Sequence, residues 1–218
     1  MSRHEIVVID YHKGNLLSVA RSLSSVGADV EVSDDLQAIA NASGIVLPGV
    51  GSFEDAMSYM RSSGQADATI SAIRRGVPFL GICLGLHLPF ARGEERTSDV
   101  WGNGWVPGLG LFEGSVTRLV SDRLKVPHVG WDQLHLTELG RQCPLFVDVP
   151  EGSNVYFTHS YALSDDIDAS IVSSYTHYTR SFASAIWCDN VFGVQFHPEK
   201  SSATGLRILS NFVSYVRG

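Results

Sequence analysis

Residues 5–10 read Glu5-Ile6-Val7-Val8-Ile9-Asp10, a short run of mostly β-branched residues that ends in a polar side chain. Behind this run, apolar residues recur at spacings of three and four until Gly27, which is the pattern of one buried helical face followed by a glycine stop. The apolar positions are Leu16, Leu17, Val19, Ala20, Leu23 and Val26. The pattern predicts a strand followed by a helix.

The same alternation continues through the first half of the chain. Further short, almost wholly apolar strands are predicted at 29–32, 44–47 and 79–82, with a helix near 34–41. Strands that are apolar on both faces and separated by helices are typical of a parallel sheet that is covered on both sides. This half of the chain is therefore predicted to be α/β.

From residue 115 onward the pattern changes to closely spaced strand-like segments. They are predicted at 116–120, 155–161, 171–175, 183–188 and 191–196. Apolar spacing predicts a last helix at 203–216. We expect an α/β fold with a central mixed, largely parallel sheet flanked by helices, a β-rich C-terminal half, and a single domain over residues 1–218.

Composition excludes several classes of protein. With 44% hydrophobic and 18% charged residues, the chain is too apolar to be disordered. A formal net charge of −7 without a dense basic cluster argues against nucleic acid as a partner. The longest apolar stretch, 79–91, contains His87 and Pro89 and is too short to span a membrane. We expect a soluble protein that contacts neither nucleic acid nor membrane.

Three cysteines, scattered along the chain, fit neither a disulfide framework nor a zinc site. The N-terminal residues lead straight into the first strand without the apolar segment of a signal peptide. Both observations favour the reducing cytoplasm. No metal and no cofactor are expected.

One cysteine stands in a distinctive setting. Gly81-Ile82-Cys83-Leu84-Gly85 follows a predicted strand and precedes a predicted helix, which is the layout of a nucleophile elbow. The N–H groups at the start of a helix stabilise a thiolate placed there. Cys83 is therefore a candidate nucleophile, and the alternative is a small buried cysteine on a glycine-rich strand. Cys143 and Cys188 lack this setting and are assigned to packing.

A thiol nucleophile needs a base and a group that orients the base. Val194-Gln195-Phe196-His197-Pro198-Glu199 ends a predicted strand with His197 and Glu199 two positions apart, which places both on one side of an extended chain. The alternative is an exposed loop with two ordinary polar residues. Only the combination with the cysteine elbow makes the pair specific.

A glycine-rich turn supplies a third element. Leu47-Pro48-Gly49-Val50-Gly51-Ser52-Phe53 lies at the C-terminal end of the third predicted strand, where α/β sheets usually bind ligands. The glycines leave backbone N–H groups free to turn inward toward an oxyanion. A plain strand-to-helix connection is the alternative. A phosphate-binding loop is disfavoured because no Lys-Ser/Thr pair follows.

In this order and at these distances, the segments 48–52, 81–85 and 195–201 resemble those of the class I, triad-type glutamine amidotransferases. Within that family the chain most resembles the glutaminase subunits of imidazole glycerol phosphate synthases. Three further segments carry this resemblance: Gly14-Asn15-Leu16, Pro127-His128-Val129-Gly130-Trp131 and Tyr156-Phe157-Thr158-His159-Ser160-Tyr161.

The resemblance implies a flavodoxin-like fold and a Cys-His-Glu triad. Cys83 would attack the side-chain amide carbon of glutamine, and His197, oriented by Glu199, would transfer protons until water hydrolyses the glutamyl thioester. Ammonia would pass through an internal channel to a (β/α)₈-barrel cyclase subunit in a heterodimer. That subunit would make imidazole glycerol phosphate for histidine biosynthesis and an aminoimidazole carboxamide ribotide.

The resemblance also implies roles for other residues. The oxyanion would be held by backbone N–H groups at Val50, Gly51 and Leu84. Glutamine would be bordered by Gly51, His87, Thr158, His159 and Ser160. The partner interface would include Asn15, Trp131 and Lys200.

The chain departs from the family pattern at two places. The family usually has Gly-Met-Gln after the cysteine-leucine pair, whereas this chain has Gly85-Leu86-His87. His87, four residues after Cys83, is thus also a second candidate base. Pro89 has no N–H to bond the carbonyl of Gly85, so the helix after the elbow is predicted to be short or kinked. The second departure is His12-Lys13, where a glycine-containing turn is common.

Three alternatives stay open at this point. One is a paralogous glutaminase subunit that feeds another ammonia-dependent synthetase, such as one that amidates a surface sugar. Another is a cysteine hydrolase of the same sheet architecture, although such an enzyme would not need the 48–52 turn together with the 195–201 segment. The last is a non-catalytic scaffold that binds the cyclase.

Overall fold

The computed structural model describes residues 5–102 and 104–218. Within these residues the chain forms fourteen β-strands and six α-helices. The strands are β1 (Ile6–Ile9), β2 (Val30–Ser33), β3 (Gly44–Gly49), β4 (Phe79–Cys83), β5 (Phe90–Gly93), β6 (Val106–Pro107), β7 (Phe112–Arg118), β8 (His128–Gln133), β9 (His135–Leu136), β10 (Asn154–His159), β11 (Tyr161–Leu163), β12 (Val172–His177), β13 (Ser181–Cys188) and β14 (Val191–Val194). The α-helices are α1 (Leu16–Ser25), α2 (Leu36–Asn41), α3 (Phe53–Ser62), α4 (Gln65–Arg74), α5 (Leu84–His87) and α6 (Ser202–Arg217).

Eight strands form the central sheet in the order β2-β1-β3-β4-β14-β13-β12-β9. The strands from β2 to β14 are parallel to one another, and β13, β12 and β9 continue the sheet in antiparallel fashion. The predicted α/β fold with a mixed, largely parallel sheet is thus confirmed. Because parallel strands share one direction, the carboxyl ends of β3, β4 and β14 meet at one edge of the sheet.

Hydrophobic cores cover both faces of this sheet. Along β1, Ile6 and Val8 pack with α1 and α6, whereas Val7 and Ile9 pack on the other face with α2, α3 and α4. This alternation follows from the period of two along a strand, and it explains why β1 is apolar at every position. Helices α1 and α6 therefore cover one face of the sheet, and α2, α3 and α4 cover the other.

Two smaller sheets are built from strands of both halves of the chain. β5, β6, β7 and β11 form a four-stranded sheet, and β8 pairs with β10 in antiparallel fashion. Phe157 of β10 lies in the same core as Phe196 and Leu209. This packing brings the end of β10 to the carboxyl edge of the central sheet.

The sequence predicted some elements and not others. Strands β1–β4 and helix α6 lie within about two residues of the predicted bounds, which is the usual disagreement at element ends. No helix was predicted for α3 or α4, and no strand for β8. The short α5 confirms the effect expected of Pro89, since the helix ends at His87. None of the helices in 5–102 and 104–218 combines the length and the apolar character that crossing a bilayer requires.

Candidate active site

Cys83 is the last residue of β4 and stands in a strained backbone conformation, with φ 55° and ψ −108°. Two glycines make this sharp turn feasible. A Cβ on Gly85 would lie 1.7 Å from the carbonyl oxygen of Leu47, and one on Gly81 would lie 2.1 Å from the carbonyl oxygen of Gly85. Strain of this kind, held by close backbone packing, is typical of a functional turn.

Sheet register brings the three sequence motifs together. On one side of β4, Cys83 is paired with Gly49 of β3. On the other side, Ile82 is paired with Val194 of β14, so Gln195 comes next to Cys83 and His197 follows two residues later. Segments far apart in sequence therefore converge on one edge of the sheet.

His197 and Glu199 form a buried pair. His197 Nδ1 lies 2.8 Å from Glu199 Oε1, and the two side chains are only 3% and 1% exposed. Glu199 belongs to a 3₁₀ turn, Pro198–Lys200, so the expectation that both residues lie on an extended chain was wrong. The turn, rather than strand geometry, folds the carboxylate back onto the ring.

The protonation of His197 follows from its surroundings. Burial disfavours a charged imidazole, but Cys83 and Glu199 outweigh this effect and raise the pKa of His197 to about 10. Nδ1 bonds Glu199, while Nε2 is buried and has no hydrogen-bond partner among the described residues. The raised pKa favours the charged imidazolium, whose Nε2 proton interacts with the Cys83 sulfur and is available for transfer.

A cavity of about 290 Å³ opens beside Cys83. Its lining includes Val50, Gly51 and Leu84, the residues assigned to the oxyanion. The residues assigned to glutamine also line it, namely Gly51, His87, Thr158, His159 and Ser160. Since one water occupies about 30 Å³ of liquid, the space holds about ten water-sized volumes and fits a small solute such as an amino acid.

Residues 7–215 match the family described as "Glutamine amidotransferase class-I". The chain belongs to the class I glutamine amidotransferases. It is an α/β enzyme of the glutaminase type, with a thiol, an imidazole and a carboxylate at one edge of its sheet.

Relatives in this family cover nearly the whole chain. A protein of Moorella thermoacetica named imidazole glycerol phosphate synthase subunit HisH is 46% identical over 97% of this chain and 95% of its own length. The protein of the same name from Syntrophotalea carbinolica is 43% identical over 95% of this chain and 98% of its own. Both names designate one subunit of a synthase.

Solved structures share the fold at low identity. PurLQS from Thermotoga maritima has a TM-score of 0.71 at 18% identity, covering 98% of this chain and 99% of that chain. A putative GMP synthase protein from Thermoplasma acidophilum has a TM-score of 0.69 at 18% identity, covering 100% of this chain and 96% of that chain. At this identity the likeness concerns the architecture alone.

Sequence reasoning missed one charged residue of this amidotransferase site. Glu95 lines the cavity, and its Oε2 accepts a hydrogen bond from the Phe53 N–H at 3.1 Å. Burial raises the pKa of Glu95 to about 7, against the effect of that N–H and with a contribution from Asp55. In sequence, Glu94-Glu95 looks like a solvated loop pair, and nothing local distinguishes the second carboxylate.

The carboxylate of Glu54 holds the loop that contains Glu95 in place. Glu54 of α3 accepts hydrogen bonds from the backbone N–H groups of Thr97 and Ser98, from the Ser98 hydroxyl and from the Trp101 indole at 2.9 Å. These donors lower the pKa of Glu54 to about 2, the Ser98 hydroxyl contributing most, although burial acts in the opposite direction. The segment from Glu95 to Trp101 is thus anchored to the start of α3.

His87 contacts the nucleophile through another residue. Its Nε2 lies 2.7 Å from Gln195 Oε1, and Gln195 Nε2 lies 3.7 Å from Cys83 Sγ. Burial lowers the pKa of His87 to about 4, although the bond to Gln195 acts in the opposite direction. A buried imidazole with so low a pKa is a poor proton acceptor at neutral pH, so His197 is the better candidate for the base.

The residues assigned to a partner interface are solvent-exposed. Asn15 precedes α1, Trp131 is 52% exposed, and Lys200 ends the 3₁₀ turn that carries Glu199. Trp131 and Lys200 meet at Tyr156, whose ring lies 6.0 Å from the Trp131 ring and 5.8 Å from Lys200 Nζ. Helix α1 contacts the same 3₁₀ turn, which brings Asn15 toward this group.

No cluster of three or more metal-ligating side chains occurs in 5–102 and 104–218.

Proposed function

We propose that this chain is the glutaminase subunit of an imidazole glycerol phosphate synthase and hydrolyses glutamine to glutamate and ammonia. The observation that carries the proposal is the buried His197–Glu199 pair, whose imidazole interacts with Cys83, a residue that lines the 290 Å³ cavity. The near full-length relatives named as that subunit support the identity of the synthase.

The protonation state of His197 suits the first half of the reaction. The Cys83 thiolate, whose proton is held by His197, attacks the amide carbon of glutamine, forming a C–S bond while the carbonyl π electrons move to oxygen and give a tetrahedral oxyanion. Backbone N–H groups at Val50, Gly51 and Leu84 stabilise that oxyanion. His197, cationic at the start, gives its Nε2 proton to the departing nitrogen, so the C–N bond breaks with release of ammonia.

The second half returns the enzyme to its starting state. Water attacks the thioester while His197, now neutral, takes one of its protons. The C–S bond breaks, its electron pair stays on sulfur, and glutamate leaves. Glu199 keeps the imidazole oriented throughout, because it holds Nδ1 and leaves Nε2 toward the substrate.

Glu95 supplies the charge that selects an amino acid. It is the acidic side chain among the described residues that line the cavity. The α-ammonium group of glutamine carries a positive charge that an ionised Glu95 attracts, and such charge-assisted hydrogen bonds are among the strong ones. A simple amide without this ammonium lacks that attraction.

The partner is a cyclase subunit with a (β/α)₈ barrel that receives the ammonia through an internal channel. The exposed group of Trp131, Lys200 and Asn15 supports this arrangement, because Lys200 directly follows the catalytic Glu199 in sequence. Ammonia released beside His197 is thus formed close to the proposed interface. We place the complex in the cytoplasm, in keeping with the free thiols of Cys83, Cys143 and Cys188.

The function is tested by incubating the purified chain with labelled glutamine, alone and with a cyclase partner and its ribonucleotide substrate. We expect slow glutamate formation alone and faster formation with the cyclase, together with imidazole glycerol phosphate. Cys83→Ser should abolish glutamate formation. If glutamate forms but no cyclase couples to it, the acceptor belongs to another synthetase. No glutamate under any condition would overturn the proposed glutaminase function.

The choice of base is tested by comparing His197→Ala with His87→Ala in single-turnover acylation. General acid–base catalysis contributes about 10²- to 10⁴-fold, so we expect a loss of that size for His197→Ala. The loss for His87→Ala should be smaller. An equal or greater loss for His87→Ala would assign the base to His87 instead.

A further inference from the structure

Gln195 lies beside the nucleophile because of the register between β4 and β14. The pairing of Ile82 with Val194 places the next residues, Cys83 and Gln195, side by side at the carboxyl edge of the sheet. The Gln195 side chain is fully buried, and its Nε2 lies 3.7 Å from Cys83 Sγ, within hydrogen-bonding distance for a sulfur acceptor. A buried amide aimed at the reacting atom has no role in the mechanism described so far.

The other end of the amide is held by His87. Its Nε2 lies 2.7 Å from Gln195 Oε1, and an amide oxygen only accepts hydrogen bonds. His87 must therefore donate from Nε2. Burial keeps the pKa of His87 near 4, so the ring is neutral across the working pH range, and the bond to Gln195 Oε1 selects the tautomer with its proton on Nε2.

These two contacts determine the direction of the amide. If the amide were reversed, its NH₂ group would be satisfied only by the other neutral tautomer of His87, and its oxygen would face the Cys83 sulfur. An ionised sulfur is an acceptor only, so that arrangement would set two acceptors, the amide oxygen and the sulfur, against each other in a buried site. In the observed orientation the amide oxygen accepts a hydrogen bond from His87 and the amide NH₂ group donates one to the Cys83 sulfur.

We propose that Gln195 is a catalytic hydrogen-bond donor to the Cys83 sulfur and that His87 is the positioning residue that orients its amide. The donor stabilises negative charge on sulfur before attack. It does so again when the C–S bond of the thioester breaks and the electron pair returns to sulfur, because a better-stabilised thiolate leaves faster. In the thioester itself the sulfur is a weak acceptor, so the interaction is strongest where charge is present.

Other titratable groups also face this site, and the test must separate their effects. His197 interacts with the same sulfur and is cationic. Tyr11, whose pKa is raised by burial and by Cys83, stays neutral. Burial lowers the pKa of His159 to about 3, so that ring is neutral as well. Glu95 lines the same cavity, and burial raises its pKa to about 7, so it titrates within the range of the profile. The hydrogen bonds of the Gln195 side chain go to His87 and Cys83, so substitutions at 195 and 87 leave these four groups in place.

The experiment measures the rate of Cys83 alkylation by iodoacetamide against pH in the full-length protein, with the modified peptide quantified by mass spectrometry. The inference rests on Cys83 being the nucleophile of the proposed function, yet this readout needs neither glutamine nor a cyclase. A protein that fails to hydrolyse glutamine can still show the alkylation profile, so failure of one proposal is distinguishable from failure of the other.

Gln195→Leu removes the hydrogen-bond donor to the Cys83 sulfur. His87→Phe removes the imidazole that orients the Gln195 amide. Because a hydrogen bond to a charged group contributes about 1.5–3 kcal/mol, we expect the midpoint of the alkylation profile to rise by about one pH unit or more in Gln195→Leu, and somewhat less in His87→Phe. His87→Gln restores an N–H donor opposite Gln195 Oε1 and should return the midpoint to the wild-type value. Gln142→Leu, at an exposed glutamine outside the cavity lining, is the matched control and should not shift it.

Circular dichroism of each variant checks that it is folded. If Gln195→Leu misfolds, Gln195→Glu keeps the shape of the side chain and replaces the donor with a carboxyl group, and it should raise the midpoint at least as much. An unshifted midpoint in folded Gln195→Leu or Gln195→Glu would overturn the proposal for Gln195. Equal shifts in His87→Phe and His87→Gln would overturn the orienting role of His87.

Discussion

Lys13 Nζ lies 2.7 Å from Asp55 Oδ2, so an ion pair joins the loop after β1 to the first turn of α3. The stem of Lys13 passes close to the Val50–Gly51 turn, since a Cβ on Gly51 would lie 3.4 Å from Lys13 Cδ. Gly51 has a φ of +103°, a conformation in which the turn depends on glycine. Lys13 is one of the two residues that depart from the family's glycine turn. Its side chain passes alongside the Val50–Gly51 turn, which is assigned to the oxyanion, and ends in the ion pair with Asp55.

Lys13→Met should raise glutamine hydrolysis by the isolated chain about two- to fivefold. The change keeps the apolar stem and removes the ion pair, which lets the turn reach its oxyanion-binding form without a partner. The gain is small because exposed ion pairs contribute about 0.2–1 kcal/mol. Steady-state glutamate formation without the cyclase measures it, with Arg141→Met, in an exposed ion pair elsewhere, as the control. Unchanged or lower turnover would show that the pair does not restrain the turn.

Glu95→Gln should weaken glutamine binding and remove its pH dependence near neutrality. The pKa of Glu95 is raised to about 7, so the carboxyl group loses its charge as pH falls through that value and no longer attracts the ammonium of glutamine. For the wild type we expect the KM for glutamine to rise as pH falls from 8 to about 6. In Glu95→Gln, the KM should be about tenfold higher and flat over this range.

Glu94→Gln, at the neighbouring carboxylate, is the control for this change and should keep the wild-type profile. Initial rates at several glutamine concentrations and pH values supply the data. A pH-dependent KM that persists in Glu95→Gln would mean that another group governs recognition of the ammonium.

His87→Gln should make the protein less sensitive to acid. The pKa of His87 is lowered to about 4 in the folded protein, against about 6.5 for an unperturbed histidine, so between these values the unfolded chain binds more protons and stability falls with falling pH. Between pH 6 and about 4.5 this histidine makes the free energy of unfolding fall by up to about 1.4 kcal/mol for each pH unit of acidification. In His87→Gln that contribution to the slope should be absent. Urea unfolding of both proteins at several pH values measures the slopes; parallel curves would contradict the assignment.

Gly85→Ala should destabilise the elbow severely. The new Cβ would lie 1.7 Å from the Leu47 carbonyl oxygen, which belongs to the backbone of β3 and cannot rotate away. We expect a loss of about 3 kcal/mol or more in the free energy of unfolding, or no folded protein at all. Gly102→Ala, whose Cβ meets nothing within 4 Å, is the matched control and should change stability by about 0.5 kcal/mol or less.

The parallel half of the sheet could be predicted because its signal is local. Runs such as Ile6–Ile9 are apolar at every position, and the helix behind them repeats at the helical period. The elbow at Cys83 and the glycine turn at Gly49 were recognisable for the same reason, because β4 and β3 end at these motifs. The sequence resemblance then named the residues that the fold brings together.

Long-range register could not be predicted in this way. Gln195 was visible in its motif, but its place beside Cys83 depends on how β14 pairs with β4, and no local pattern specifies that pairing. Glu95 was missed because its burial arises from the packing of β5 and α3. The 3₁₀ turn at Glu199 was missed because spacing alone does not distinguish a turn from an extended chain.

The adjacency of β4 and β14 has an evolutionary consequence. Since the thiol and the imidazole follow neighbouring strands, insertions and deletions in the loops between Cys83 and His197 leave the distance between them unaltered. One residue added inside β4 would instead turn the thiol to the opposite face of the sheet. Length variation among descendants of this gene should therefore concentrate in those connecting loops and spare both strands.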